Sequence, residues 1–147
     1  MKIDSTHIAI MRLLREGRKS FKEIADALSV TENTVRARVN QLVQAGVLNV
    51  TGLVDPERLP GHRLVLVGIK LNTMNLVKKG EEFSRLRGVV SVAVVTGRYD
   101  LVLTVLLTDE FGLLEFYTEE VDRVEEVSSA ETFVVYQGYS ARVPYVL

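Results

Sequence analysis

The chain has 147 residues, 47% hydrophobic and 25% charged, which is enough for one domain or two small ones and too apolar for a disordered chain. It contains no cysteine, which excludes a disulfide scaffold, thiolate metal sites, iron–sulfur clusters and thiol catalysis. Its net charge of −1 hides a split: residues 1–50 hold eight Lys or Arg against five Asp or Glu, and residues 51–147 hold ten against fourteen. A basic head on an acidic body is the charge pattern of a nucleic-acid-binding module joined to a different kind of domain.

The N-terminus does not read as a secretory leader, because Asp4, His7 and Arg12 interrupt its apolar stretch. The longest apolar runs, Val89–Val95 and Leu101–Leu107, fall far short of the roughly 20 residues that span a bilayer. A soluble, cytoplasmic protein with no membrane partner is expected. His7 and His62 are expected as ordinary surface histidines, and no metal site, cofactor or catalytic residue is expected.

Residues 4–48 predict three helices. Asp4 or Ser5 caps the first, Ile8, Met11 and Leu14 follow helical spacing, and Gly17 lies just past its end. Ser20 opens the second, with Glu23 three residues on as a capping box and Phe21, Ile24, Ala25 and Leu28 as its apolar stripe. Ser29-Val30 turns the chain and Thr31 caps the third, where Val35, Val39, Leu42 and Val43 share a face and Gly46 is placed to end the helix left-handed. A short helix, a tight turn and a second capped helix over 21–44 suit a helix-turn-helix, and equally a plain three-helix bundle.

The outer face of the third helix favours the first reading. It carries Glu32, Asn33, Arg36, Ala37, Asn40 and Gln41, with Arg38 on the flank. Asn, Gln and Arg are the side chains that make paired hydrogen bonds to purine edges, whereas an ordinary solvated helix favours Glu and Lys. Asn33, Arg36, Ala37 and Asn40 are expected to face the DNA groove. Lys22, Thr31, Thr34, Arg38 and Gln41 are expected to flank it near phosphates, with Arg18 and Lys19 just ahead.

A short strand is predicted over Val47–Val54, and the turn-rich 55–61 segment, with Pro56 and Pro60, marks the boundary between a head (1–50), a linker (51–61) and a body (62–147). The body reads as strand Arg63–Leu71, helix Leu76–Leu86, strand Val89–Thr96, a tight connection Gly97–Asp100, and strand Leu101–Leu107. A helix over Glu110–Val124 follows, capped by Asp109 with the stripe Leu113, Leu114, Tyr117 and Val121. Strand Ala130–Tyr136 and a further strand in Ser140–Val146 complete it. The βαββαβ order is that of a ferredoxin-like split βαβ fold, so the expected class is α+β: a three-helix helix-turn-helix followed by an antiparallel ferredoxin-like domain. The strands do not alternate apolar with polar, as one-sided antiparallel strands do. Both sheet faces therefore need cover, and a second copy of the sheet is the expected cover, giving a homodimer.

Together these segments resemble the Lrp/AsnC family of prokaryotic transcriptional regulators over nearly the whole chain. The resemblance rests on Phe21-Lys22-Glu23-Ile24-Ala25-Asp26-Ala27-Leu28-Ser29-Val30-Thr31 running into Thr34-Val35-Arg36-Ala37-Arg38-Val39, on Ala45-Gly46-Val47-Leu48, on Val54-Asp55-Pro56-Glu57-Arg58-Leu59, and above all on Val95-Thr96-Gly97-Arg98-Tyr99-Asp100-Leu101. The resemblance implies dimers, in some cases octamers, built through the ferredoxin-like "regulation of amino-acid metabolism" (RAM) domain, and the two-fold symmetry of the expected dimer predicts a pseudo-palindromic double-stranded DNA operator. The resemblance also implies a free amino acid bound between dimers beside the hairpin matched by Gly97, Arg98, Tyr99 and Asp100, with Ser128, Ser129, Glu131 and Thr132 as further lining. Two departures stand out: Ile3-Asp4-Ser5-Thr6-His7 replaces the usual Leu-Asp-x-x-Asp opening, and Pro60-Gly61-His62 replaces a Gly-Tyr pair. The sirohaem decarboxylases resemble this family too, but carry extra His and Arg near the hairpin. Residues 86–107 here hold Arg87 and Arg98 and no histidine, so no enzymatic activity is expected.

Overall fold

The computed structural model describes residues 2–147, which divide into two compact units at Thr51/Gly52. In the first unit, α1 (Ser5–Leu14), α2 (Phe21–Leu28) and α3 (Glu32–Gln44) each begin at a side-chain cap. Asp4 caps α1 by accepting the His7 N–H at 3.0 Å. Ser20 and Glu23 form the reciprocal box on α2, and Thr31 accepts the Thr34 N–H at 3.2 Å on α3. Ser29 takes a left-handed φ of +53° in the turn between α2 and α3. Gly46, at φ +67°, closes α3 with its N–H on the Val43 carbonyl while the Val47 N–H reaches back to Leu42, the paired arrangement that satisfies the last helical carbonyls. Ile10, Ile24, Ala25, Val35 and Val39 form the core of this unit.

Two expectations about this unit are corrected. Val43 is exposed, because Leu42 already takes the inward position and Val43 lies about 100° further round the helix. The strand predicted over Val47–Val54 does not form. Only Val54 finds a partner, bridging to Val143, and Val50 and Leu53 are exposed with no ladder to join.

The second unit is a four-stranded antiparallel sheet of β1 (His62–Leu71), β2 (Val89–Val94), β3 (Leu101–Thr108) and β4 (Val127–Val134), in the order β2-β3-β1-β4. Helix α4 (Leu76–Ser84) connects β1 to β2. The second connection starts as α5 (Leu113–Glu115), widens into a π-helical turn at Phe116–Glu120 and ends in a 3₁₀ turn at Val121–Arg123. This is the expected ferredoxin-like arrangement. Val65, Val67, Ile69, Leu101, Leu103, Val105 and Leu107 pack beneath the helices with Phe83, Phe111, Phe116 and Val121.

The second connection departs from expectation in two ways. Asp109 caps nothing. Instead Thr108 Oγ1 accepts the Phe111 N–H at 3.0 Å and the Glu115 carboxylate accepts the Gly112 N–H at 2.9 Å, so the helix starts three residues later than predicted. Leu113, Tyr117 and Val121 pack on the core as the predicted stripe has them, Leu114 is exposed, and the π turn adds Phe116 to the core five residues before Val121. β4 spans Val127–Val134 rather than Ala130–Tyr136, because Glu126 at φ +66° turns the chain onto β1 early, and Val127 pairs with Leu71. Ser140–Val146 forms no strand beyond the Val143–Val54 bridge.

The opposite sheet face follows from the register. Leu66 pairs with Thr104 and Phe133, and Gly68 pairs with Val102 and Glu131, so these alternate with the core residues and point away from the helices. The chain covers part of this face itself. Tyr99 lies across Gly68, where an added Cβ would come within 2.7 Å of its ring, and Tyr99 meets Phe133 edge-on with centroids 6.0 Å apart. Leu106 is buried, and at the His62 end a cleft of about 120 Å³ is lined by Pro56, Leu64, Val135 and Ala141. Leu66 (36% exposed) and Phe133 (44%) stay open.

Candidate DNA-binding and ligand-binding surfaces

The inward valines of α3 turn its other side outward. Asn33, Arg36, Ala37, Asn40 and Gln41 are exposed, and Asn33, Ala37 and Asn40 recur at the spacing of one helical face. Arg36 is held in place before any ligand arrives: its Nη2 donates to Glu32 Oε1 at 2.7 Å, and its guanidinium carbon sits 5.2 Å from the Phe21 ring centroid. Thr31 and Thr34 hydroxyls share a 2.8 Å hydrogen bond at the N-terminus of α3, and Lys22 is exposed on α2.

Arg38 shares a face of α3 with Thr34 and Gln41 and is paired to the start of α1. Its Nη1 donates to Asp4 Oδ2 at 2.5 Å and stands 3.0 Å from Nδ1 and 3.3 Å from Nε2 of His7. Arg38 is expected to flank the groove, and the structure adds an attachment of its guanidinium to the start of α1. His7 is corrected: it is 2% exposed, not a surface histidine, because its ring takes the third helical position of the α1 cap and packs inward with Nδ1 2.8 Å from Asp4 Oδ1. The departure Ile3-Asp4-Ser5-Thr6-His7 therefore keeps a complete capping box.

The His7 N–H, followed by Arg38 and the His7 ring, holds the Asp4 carboxyl down to about 2. A carboxyl lowered on folding adds stability that is complete above its ordinary value of 3.8 and lost as pH falls toward 2. We expect thermal unfolding of the full chain to show an acid-side fall between about pH 4 and 2 that is smaller in Asp4→Asn, so that the two curves converge at low pH. Equal pH dependence of chain and variant would contradict the assignment.

The Gly97–Asp100 hairpin joins β2 to β3. Asp100 accepts Lys70 Nζ at 2.8 Å on one oxygen and the Leu71 N–H at 2.8 Å on the other, and Lys70 foremost, then Leu71, lowers its pKa. It therefore fastens the hairpin to β1 rather than offering a free carboxylate. Tyr99 donates to Glu131, which raises the phenol's pKa, and Arg98 lies 3.6 Å from the same carboxylate and 5.7 Å from the Tyr99 ring centroid. Gly97 takes φ +109° with open space around it.

Thr132 is not brought to this group. Its register partner is Val67, so it points toward the helices, where it hydrogen-bonds Tyr117 Oη at 2.7 Å. Glu131, one residue earlier, points to the hairpin side. The period-two geometry of β4 decides between them, and it becomes readable only once the register with β1 is fixed. Lys70 likewise carries no sequence signal of its own until β1 is paired with β3.

A recognition-type helix with an exposed Asn/Arg face in one unit and a ferredoxin-like domain with a built-up hairpin in the other define a helix-turn-helix regulator with a separate sensing domain. The Lrp/AsnC ligand binding domain matches residues 64–144, and a winged helix-turn-helix DNA-binding domain matches residues 3–49, although residues 2–51 contain no strand among those described. An uncharacterized HTH-type transcriptional regulator of Pyrococcus abyssi is 31% identical over 92% of this chain and 87% of its own length. The regulatory protein AsnC of Haemophilus influenzae is 28% identical over 92% and 93%. Among solved structures, E. coli AsnC superposes with a TM-score of 0.72 at 23% identity, covering 94% of this chain and 95% of that one. A Neisseria meningitidis transcriptional regulator in complex with L-Met gives 0.72 at 21%, covering 92% and 91%. The chain belongs to the Lrp/AsnC family: it is a DNA-binding transcriptional regulator, not an enzyme. No helix among the described residues is long and apolar enough to cross a membrane.

Proposed function

We propose that this regulator acts in the cytoplasm as a homodimer, capable of assembly to an octamer, that reads a pseudo-palindromic double-stranded operator and responds to a free amino acid. Asn33, Arg36, Ala37 and Asn40 face base edges, with Lys22, Thr31, Thr34 and Gln41 near phosphates. The dimer forms through the open sheet face around Leu66, Val102 and Phe133, and its two-fold axis sets the half-site spacing.

The observation that carries the effector reading is the opposed pair at the hairpin. Arg98 is exposed and ion-paired with the Glu131 carboxylate at 3.6 Å beside Tyr99, and a zwitterion that parts this pair gives each charge a new partner. Arg98 and the turn N–H groups after Gly97 take the α-carboxylate, and Glu131 takes the ammonium in place of the committed Asp100. The Neisseria regulator solved with L-Met supports an amino acid as the class of ligand. A ligand that bridges dimers favours the larger assembly by its differential affinity, and DNA affinity changes reciprocally.

The test is a thermal-shift panel of the twenty amino acids at millimolar concentration, with sedimentation alongside. One or more should raise the melting temperature and shift the assembly, and Arg98→Ala should lose both responses while keeping the fold. No stabilisation and no change of assembly with any amino acid would remove this effector class. A folded monomer at micromolar concentration would remove the dimer.

A further inference from the structure

We propose that Arg38 is a positioning residue of the DNA-binding head: its guanidinium ties the recognition helix α3 to the start of α1 through Asp4 and His7, fixing the angle of α3 rather than binding a phosphate. The proposal rests on the chain's DNA binding and on no part of the effector reading. All of its members lie within the first unit.

Three observations converge. The Arg38–Asp4 hydrogen bond and the approach of Arg38 Nη1 to the His7 ring are the only side-chain polar contacts between the start of α1 and α3 among the described residues, and they span 34 and 31 positions of sequence. His7 is 2% exposed and forms the buried side of the junction, while Arg38 at 31% and Asp4 at 41% lie at its solvent edge. Asp4 serves two helices at once: Oδ1 accepts the His7 N–H that caps α1, and Oδ2 accepts Arg38.

The remaining contacts between α1 and α3 are apolar, among them Ile10, Val35 and Val39. Apolar contact is non-directional. A charge-assisted bond to a fixed carboxylate is directional. Arg38 lies near the middle of α3, five residues from Asn33. At 1.5 Å per residue that is about 7.5 Å, so a tilt of about 5° moves Asn33 by roughly 0.6 Å. Base readout tolerates about 0.5 Å.

The experiment compares the full-length chain with Asp4→Asn, Arg38→Lys and the double variant. Each is titrated onto the preferred duplex recovered by selection and onto a random duplex of equal length, over a range of salt concentrations, with melting curves to establish folding. Asparagine still caps a helix, so Asp4→Asn removes the tie and keeps the cap. Electrostatics alone predicts tighter DNA binding when a carboxylate is neutralised. The tie predicts the reverse: at least tenfold weaker binding to the preferred duplex, random duplex within about twofold, and an unchanged salt slope. Arg38→Lys keeps the charge but does not reach Asp4 and His7 together, and should lose as much. The double variant should be no weaker than either single one, because all three break one connection. If Asp4→Asn is too unstable to assay, Arg38→Lys decides. Tighter or unchanged binding by Asp4→Asn, or full binding by Arg38→Lys, would overturn the proposal. So would a loss shared by both duplexes with a salt slope shallower by about one, the mark of a lost phosphate contact. Failure to recover any preferred duplex would instead count against sequence-specific binding itself.

Discussion

Replacing Arg36 or Asn40 with alanine is expected to weaken binding to the preferred duplex by about 1–3 kcal/mol each, roughly 5- to 150-fold, and to relax the base preference under that residue. The two sit on the exposed face of α3 and carry the forks that suit guanine and adenine edges. Arg36 is the more informative of the two. It is preset by Glu32 and by the Phe21 ring, so it spends little side-chain freedom on reaching a base. Titration of each variant against the preferred and single-base-substituted duplexes measures this. Equal loss on every sequence would place both residues on the backbone.

Leu103→Glu is expected to unfold the sensing domain, at more than about 4 kcal/mol, because it buries a carboxylate with no partner. Leu103 is fully buried between Val67 and Val92, beneath the helices. Leu66→Glu on the open face, at 36% exposure, is expected to leave each chain folded and to break the dimer instead. Melting curves with sedimentation separate the two. A folded, dimeric Leu103→Glu would mean that the register is wrong, and a dimeric Leu66→Glu would mean that the interface lies elsewhere.

Caps and stripes made most of the fold legible. Ser20-Phe21-Lys22-Glu23 and Thr31 place two helices with local chemistry alone, and the two-sided apolar runs of β1 and β3 mark central strands. What could not be read is what depends on a distant partner. The start of β4 follows from the left-handed Glu126, and the burial of Phe116 from a π turn, neither of which has a periodic signature. The same holds for the sites. The exposed Asn/Arg face of α3 is written in helical spacing. That Arg38 answers to Asp4 and His7, that Asp100 is taken by Lys70, and that Glu131 rather than Thr132 joins the hairpin all follow from packing and register.

The most direct test of the central claim is selection of duplex DNA from a random-sequence pool by the purified chain at moderate salt, followed by sequencing. The fold and the α3 face predict strong enrichment of one motif with two-fold-related half-sites, lost in Arg36→Ala. Recovery of a pool indistinguishable from the starting one would contradict the account.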